Sequence, residues 1–258
     1  MKKITCSKTL SVRIDGRGRF YMPDDLTLRN KKIISIIPVL DMCTFANDLD
    51  EQITAEQAEN LFLNITIDGQ TYQFENLSVY QNSAEVVKGI YHQYNTTISF
   101  SNSYILSTVD NIAGDLLLVV FYEDEAYSNA TRNIESNYSY CEIPLSYQNG
   151  LRNPLPDNRI LANKRFRNFI VSFPEQTPQG YQGVNQEEVY SYAYITLCKG
   201  SRVIVEQMPI KLLHQLGNYR MLEFNNIEFD FENSYIQIFG EDHDIQDTFL
   251  YMIFEYEK

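Results

Sequence analysis

Short runs of apolar residues, separated by turn-forming residues, recur along the chain and predict strands more often than helices. The clearest example is the pair of segments 61–67 and 71–79. Between them, Asp68 and Gly69 supply the positive φ angles that a tight turn requires. This pattern predicts an antiparallel hairpin.

A second hairpin is predicted from segments 192–198 and 202–208, with Gly200 in the turn between them. Val203 and Val205 are expected to share one face of the second strand, because side chains alternate along a strand. The two predicted hairpins occupy comparable places in the two halves of the chain.

Two longer apolar runs predict strands that are buried on both faces. Residues 116–121 read Leu-Leu-Leu-Val-Val-Phe with no polar break, which is typical of a strand at the centre of a sheet. Residues 249–254 are expected to play the same part in the second half.

Convincing helices are few in this sequence. Residues 54–59 could form one or two turns, but they lack the apolar stripe that would hold a helix against a core. We therefore expect a loop there.

The first half of the chain aligns with the second half at shifts of 131 to 133 positions. Residues 102–105 and 233–236 both read Asn-Ser-Tyr-Ile, and the apolar segment 115–123 resembles 247–255. Near the start of each half, Arg19, Pro23, Asp24, Leu28, Asn30 and Lys31 match Arg152, Pro156, Asp157, Leu161, Asn163 and Lys164. A repeat of this length indicates one fold that is present twice.

We therefore predict an all-β protein with two tandem β-sandwich domains related by internal duplication. The domains are residues 1–128 and 129–258, with a polar linker near 123–137. The strand spacing suits a jelly-roll and an immunoglobulin-like sandwich equally. Most repeated positions are apolar or turn-forming, so the duplication predicts a repeated fold and not a repeated active site.

The charge balance argues against some partners. The chain has 34 acidic and 21 basic residues and a net charge of −13, so nucleic acid and anionic membrane surfaces are expected to be repelled. No apolar run is long enough to span a bilayer, and no secretion signal is visible, so we expect synthesis in the cytoplasm. The cysteines lack metal-ligand spacing and are expected to be small buried residues: Cys6, Cys43, Cys141 and Cys198.

Residues that could carry chemistry form no known catalytic motif. His92, His214 and His243 have no nucleophile in a recognisable arrangement beside them. Residues 241–244 (Glu-Asp-His-Asp) concentrate cation ligands, but their spacing matches no EF-hand, and we interpret them as a solvated turn that leaves ion binding open. We therefore predict no enzyme and no catalytic, cofactor-binding or metal-binding residue.

Two glycine-containing segments are interpreted as hairpin turns. Residues 15–19 (Asp-Gly-Arg-Gly-Arg) lack the spacing of a phosphate-binding loop. Residues 148–152, in the same relative place in the second half, contain Asn-Gly, which is a strong turn signal.

Tyrosines and long polar loops are the candidate contact residues. Tyrosine offers a flat apolar ring with a polar tip, which suits stacking on sugars or a protein interface. Residues 44–60 and 174–189 are predicted to be loops that reach partners. The tyrosines expected to be exposed are Tyr181, Tyr190, Tyr192 and Tyr194.

The chain is rich in Asn, Tyr and Ile, and its Asn-Ser-Tyr-Ile segment precedes an apolar strand that ends Phe121-Tyr122-Glu123. In this it resembles the virion structural proteins of crAss-like tailed bacteriophages, in particular the ring proteins that stack below the portal in the tail barrel. The resemblance implies a non-enzymatic virion subunit that self-associates into a closed ring and contacts the portal or neighbouring ring proteins. Alternatives are a capsid decoration or head-fibre base protein, and a carbohydrate-binding or adhesion module.

Overall fold

The computed structural model describes residues 3–40, 53–80, 90–91, 97–125, 136–146, 150–172, 192–213, 227–239 and 248–257. The described chain is built of β-strands with almost no helix, so the predicted all-β class is confirmed. It divides into two compact units. The N-terminal unit is Ser7–Asp124, and the C-terminal unit is Glu125–Lys258 together with Met1–Cys6.

Two antiparallel sheets form the N-terminal unit, with the strand orders β1-β8-β3-β6 and β2-β7-β4-β5. One short helix, α1 (Ala55–Ala58), and the 3-10 turns Leu77–Tyr80 and Phe100–Asn102 connect them. The strands are β1 (Lys3–Asp15), β2 (Gly18–Tyr21), β3 (Lys32–Val39), β4 (Leu61–Ile67), β5 (Gln70–Asn76), β6 (Ile90–Tyr91), β7 (Tyr104–Ser107) and β8 (Ala113–Glu125).

In the C-terminal unit the orders are β11-β15-β9 and β10-β14-β12-β13, and β1 follows β13. The 3-10 turns are Ile210–Leu213 and Phe231–Asn233. The region that would hold a counterpart of β6 lies outside the described residues. The strands are β9 (Ser136–Leu145), β10 (Arg152–Pro154), β11 (Phe166–Ser172), β12 (Ala193–Lys199), β13 (Arg202–Pro209), β14 (Tyr235–Ile238) and β15 (Thr248–Glu257).

Both predicted hairpins are confirmed. β4 pairs antiparallel with β5, and Asp68 and Gly69 at the turn have φ angles of 49° and 79°. β12 pairs antiparallel with β13, and Gly200 in their turn has a φ of 57°. Asp-Gly works at the first turn because Gly lacks a Cβ and Asp tolerates the left-handed region.

The expectation that Val203 and Val205 share a face is wrong. Val203 is 40% exposed, whereas Val205 is buried. Val203 lies opposite Cys198, but Val205 lies opposite Leu197, so β13 carries one extra residue at this point. Such a β-bulge shifts the alternation of side chains by one position.

The two glycine-containing segments are not hairpin turns. β2 pairs with β7 and β10 pairs with β14, so each segment carries the chain from one sheet to the other. Gly16 has a φ of 80°, and its N–H donates to the Ile112 carbonyl at 2.6 Å. Gly150 has a φ of 72°, and residues 147–149 beside it lie outside the described residues.

The loop expected at residues 54–59 contains the helix α1. The Thr54 hydroxyl accepts from the Gln57 N–H at 3.3 Å, and the Gln57 side-chain oxygen accepts from the Thr54 N–H at 2.9 Å. This reciprocal capping box stabilises a short helix, and the buried Ala58 anchors it.

A buried serine fixes the chain crossing in the N-terminal unit. The Ser103 hydroxyl accepts from the Thr66 N–H at 2.9 Å and donates to the Ser99 carbonyl at 2.7 Å. The Ser103 carbonyl accepts from the Met22 N–H at 2.9 Å. The side chain therefore satisfies two backbone groups that no sheet ladder pairs.

The same arrangement occurs in the C-terminal unit at Ser234. Its hydroxyl accepts from the Cys198 N–H at 3.0 Å and donates to the Asp230 carbonyl at 2.7 Å. The Ser234 carbonyl accepts from the Leu155 N–H at 2.9 Å. Both serines are fully buried, so these bonds are part of the core.

Further local features recur at matched positions. Asn30 and Asn163 both have a left-handed backbone, with φ angles of 60° and 59°. The Arg19 guanidinium lies 4.9 Å from the centre of the Tyr104 ring, and each of these residues has a counterpart in the second half. That counterpart pair, Arg152 and Tyr235, has a separation of 4.4 Å.

The expectation for the cysteines holds in part. Cys6 and Cys141 are buried, Cys198 is half-buried, and none of these three is part of a disulfide. Burial raises the pKa of the Cys141 thiol to about 12, so this group stays protonated and unreactive at neutral pH. Cys43 lies outside the described residues.

The contribution of the Asp230 carboxylate to the stability of the fold is expected to depend on pH. Its carboxylate accepts from Lys199 Nζ and from the Gly200 N–H, both at 2.7 Å. Burial raises the pKa of this carboxyl, but the hydrogen bonds from Lys199 and Gly200 outweigh burial and leave the pKa below its usual value. A carboxyl with a lowered pKa stabilises the fold above its unfolded pKa of 3.8, and that stability is lost as the pH falls through the folded pKa.

We therefore expect Asp230→Asn to lower the free energy of unfolding at neutral pH by about 0.5–1.5 kcal/mol, the usual net value of a hydrogen bond. Thermal unfolding at pH 7 and pH 3 measures the effect, which should shrink at pH 3. Asp157→Asn, at an exposed carboxyl of the same unit, is the control. An equal loss from Asp230→Asn at both pH values would contradict the role of its charge.

Candidate interaction surface

The predicted central positions of β8 and β15 are confirmed, but burial on both faces is confirmed only for β8. In β8, Leu117, Val119 and Phe121 are buried, as are the residues between them. In β15, alternate residues are buried and half-buried. The half-buried side chains are Phe249, Tyr251, Ile253 and Glu255, and the first three are the counterparts of the three residues named in β8.

The exposed side of β15 continues onto its neighbour β9. Tyr138 is 69% exposed and Tyr140 is 66% exposed, and they lie opposite Glu255 and Ile253 in the strand register. We use the name tyrosine face for five of the outer side chains of these two strands: Tyr138, Tyr140, Phe249, Tyr251 and Ile253. Glu142, Pro144 and Glu255 lie on the same side.

Aromatic contacts order the tyrosine face. The rings of Tyr140 and Tyr251 meet edge to face with centres 6.1 Å apart, and those of Phe249 and Tyr251 meet in the same way at 5.3 Å. An open cavity of about 440 Å³ is lined by Tyr138, Ser139, Tyr140, Tyr251 and Ile253. Edge-to-face pairs stabilise ring orientations, so the face presents fixed apolar surfaces with hydroxyl tips.

This arrangement suits binding more than catalysis. Exposed aromatic side chains that lie together on a sheet commonly mark a contact surface for a protein or another ligand. Tyrosine is enriched at protein interfaces because one ring supplies apolar area while its hydroxyl still finds a hydrogen-bond partner.

A second concave region, a groove of about 470 Å³ in the N-terminal unit, contains carboxylates with structural roles. Asp24 accepts from Arg29, and this hydrogen bond lowers the pKa of Asp24. Asp25 accepts from the Leu28 N–H at 3.2 Å and pairs with Lys8 Nζ at 3.1 Å. These carboxylates hold their own loop in place.

Several sequence candidates fall outside the described residues. The loop predicted at residues 44–60 is described only from residue 53. The candidates outside the description are His92, His214, His243, Tyr181, Tyr190 and residues 174–189 and 241–244.

The expectation that Tyr194 is exposed is wrong. This side chain is buried, and its ring meets Phe239 edge to face at 5.6 Å. The side chains around it in β12, Ala193, Ile195 and Leu197, are buried as well, so Tyr194 belongs to the core and not to the expected surface. Tyr192 is half-buried.

Tyr138 and Tyr140 were not among the sequence candidates. Residues 138–145 alternate in a way that could have located β9 and its outer side. Cys141 and Ile143 on the inner side are apolar, whereas the charged Glu142 shares the side of Tyr138 and Tyr140. This alternation could have placed both tyrosines on the outer side.

Three negative findings bear on the role of this surface. No three His, Cys, Asp or Glu side chains gather as a metal site in the described part of the chain. No helix in that same part is long and apolar enough to cross a membrane. The chain matches no known protein-family model, no curated protein and no solved structure.

Proposed function

We propose that this chain is a non-enzymatic structural subunit of a bacteriophage particle, which self-associates into a closed ring of the portal-proximal tail barrel. The tyrosine face carries the proposal. The matching positions of β8 are buried, whereas β15 leaves Phe249, Tyr251 and Ile253 half-buried beside two exposed tyrosines. A subunit with such a face gains stability when a neighbouring subunit covers it.

We further infer that the chain is a tandem pair of jelly-roll sandwiches that arose by internal duplication. The orders β1-β8-β3-β6 and β2-β7-β4-β5 are those of a jelly roll, and the C-terminal unit repeats them at every described strand. The recurring hydrogen bonds of Ser103 and Ser234 support a common origin, because they depend on the same residue at the same crossing.

The jelly-roll inference is compatible with the sequence resemblance, because viral structural proteins use this architecture widely. The proposed partners are further copies of the chain and other virion proteins, such as the portal or a neighbouring ring protein. A capsid decoration protein and a head-fibre base protein belong to the same structural class. Either of them would also need a surface for self-association or docking.

Replacing Tyr138 and Tyr140 together by serine tests the proposal. Native mass spectrometry of the purified chain should show a closed oligomer for the wild type and a clear shift towards monomer for Tyr138→Ser/Tyr140→Ser. Both side chains are exposed, so the monomer itself should keep its thermal stability. A unique copy number in the wild type indicates a closed ring, whereas a continuous distribution of masses indicates open association.

The matched control is Tyr21→Ser/Leu26→Ser, which removes two exposed apolar side chains of the N-terminal unit. This variant should assemble like the wild type. A wild type that stays monomeric at every concentration, and is absent from phage particles, would refute the proposed function.

A carbohydrate-binding module is the second candidate, and the open cavity lined by three tyrosines favours it. Sugars stack on aromatic rings, and jelly rolls include lectins. Titration of the monomeric chain with an oligosaccharide panel, followed by isothermal calorimetry, separates the candidates. Saturable oligosaccharide binding that Tyr138→Ser/Tyr140→Ser abolishes would favour the carbohydrate-binding module. If no oligosaccharide binds the wild type, the result favours the structural subunit.

A further inference from the structure

The edges of the sheets suggest how one copy meets the next. Within the described residues, β5 is the last strand of its sheet, and β9 is the last strand of its own. The unpaired N–H and C=O groups of an edge strand can accept a further strand, so soluble proteins commonly protect their edges with charges, proline, bulges or a covering segment. The two edges therefore need a partner or a protective device.

Each edge has one stretch without the usual protection. Residues 70–73 of β5 (Gln-Thr-Tyr-Gln) are all exposed and contain no charge and no proline, whereas Glu75 lies further along this strand. Residues 136–140 of β9 (Ser-Asn-Tyr-Ser-Tyr) also contain no charge and no proline, whereas Glu142 and Pro144 lie further along. In a chain with a net charge of −13, these two uncharged stretches are compatible with each other and lack the lysines that normally block strand addition.

The C-terminal unit shows what fits such an edge. Its strand β13, the counterpart of β5, is followed in the sheet by β1, and residues 1–6 belong to this unit. Ile4, Thr5 and Cys6 of β1 are buried there. β1 is the counterpart of β9, since Lys3 and Ser136 begin the two strands at the same shift of 133 positions.

We propose that β5 of one copy adds beside β9 of a second copy, which repeats between chains the neighbourhood that β13 and β1 have within the C-terminal unit. The β5–β9 pairing rests on the proposed self-association and adds to it by naming the two strands that meet. The contact is head-to-tail: each chain offers one β5 and one β9, so every copy can bind two neighbours. Such heterologous contacts generate a ring when the rotation closes.

Proline substitutions can block each edge without removing the strand. In an antiparallel strand, the N–H groups of neighbouring residues point to opposite sides, so only one of two adjacent prolines breaks the pairing with the inner neighbour. Asn137→Pro and Tyr138→Pro are made in β9, and Tyr72→Pro and Gln73→Pro in β5. The member of each pair that keeps the circular dichroism and the melting temperature of the wild type is the edge-blocked variant.

Native mass spectrometry then tests the edges. We expect each edge-blocked variant to be a monomer by itself. An equimolar mixture of the two should give a heterodimer and nothing larger, because the free β5 of one chain meets the free β9 of the other. When Tyr138→Pro is the blocked form, it is compared with Tyr138→Ser, which loses the same ring but keeps the backbone N–H. Only a further loss of assembly in the proline variant then supports the edge pairing.

The outcomes separate this inference from the proposed function. If the wild type assembles and the blocked variants assemble equally well, the edge pairing is wrong and self-association stands. If the β9-blocked variant dimerises in the absence of the other variant, β5 pairs with β5 of a second copy, and the head-to-tail arrangement is wrong. If the wild type never assembles, the proposed function fails and this inference fails with it.

Discussion

Replacing Phe254 by alanine is expected to lower the free energy of unfolding by about 3–5 kcal/mol, the usual cost of removing a buried aromatic ring from a core. The Phe254 ring is fully buried. Its centre lies 5.3 Å from that of Phe166, 5.6 Å from that of Phe231 and 6.0 Å from that of Phe229. Loss of the ring leaves a cavity that these neighbours can fill only in part.

Chemical denaturation followed by far-ultraviolet circular dichroism measures this change, since the chain has no tryptophan for fluorescence. Phe249→Ala is the matched control, because Phe249 lies on the other side of the same strand and is only half-buried. It should cost clearly less than Phe254→Ala. Equal losses would mean that the aromatic cluster around Phe254 does not form the core of this unit.

Replacing Ser234 by alanine is expected to destabilise the chain by about 1–3 kcal/mol, the cost of leaving buried polar groups without partners. The hydroxyl bonds the Cys198 N–H and the Asp230 carbonyl, and alanine can bond neither. Ser103→Ala should cost a similar amount, because the same two kinds of bond are lost in the N-terminal unit. Thermal and chemical unfolding of the two variants measure both effects.

The neighbouring residue Ser101 provides the control, since it is exposed. Ser101→Ala should change the free energy of unfolding by less than about 0.5 kcal/mol. A large loss from only one of the two buried serines would show that their hydrogen bonds are not equivalent, and it would weaken the inferred duplication.

Local signals predicted a large part of the fold. The Asp68-Gly69 turn is a property of two adjacent residues, so the hairpin follows from sequence alone. The central place of β8 follows from its unbroken apolar run. The capping box of α1 is also visible in the sequence as Thr54 followed three residues later by Gln57, a signal that the sequence interpretation did not use.

Pairing between distant segments was beyond these signals. Tyr194 is buried and its ring packs against Phe239 of a distant segment, a contact that no residue near Tyr194 indicates. Strict alternation would place Val203 and Val205 on the same face of β13, but the bulge between them places them on opposite faces. The alternation around Glu142 places Tyr138 and Tyr140 on the outer side of β9, but their contact with the aromatic side chains of β15 depends on the pairing of the two strands.

The place of residues 1–6 in the C-terminal unit also has a consequence during synthesis. These residues leave the ribosome well before β13, which neighbours β1 in the sheet and begins only at Arg202. At a translation rate of about 5–20 residues per second, the first strand waits roughly 10–40 s for this neighbour. During that interval its hydrogen-bonding groups are open to other nascent or newly released chains, so slow translation or high expression should favour mispaired aggregates.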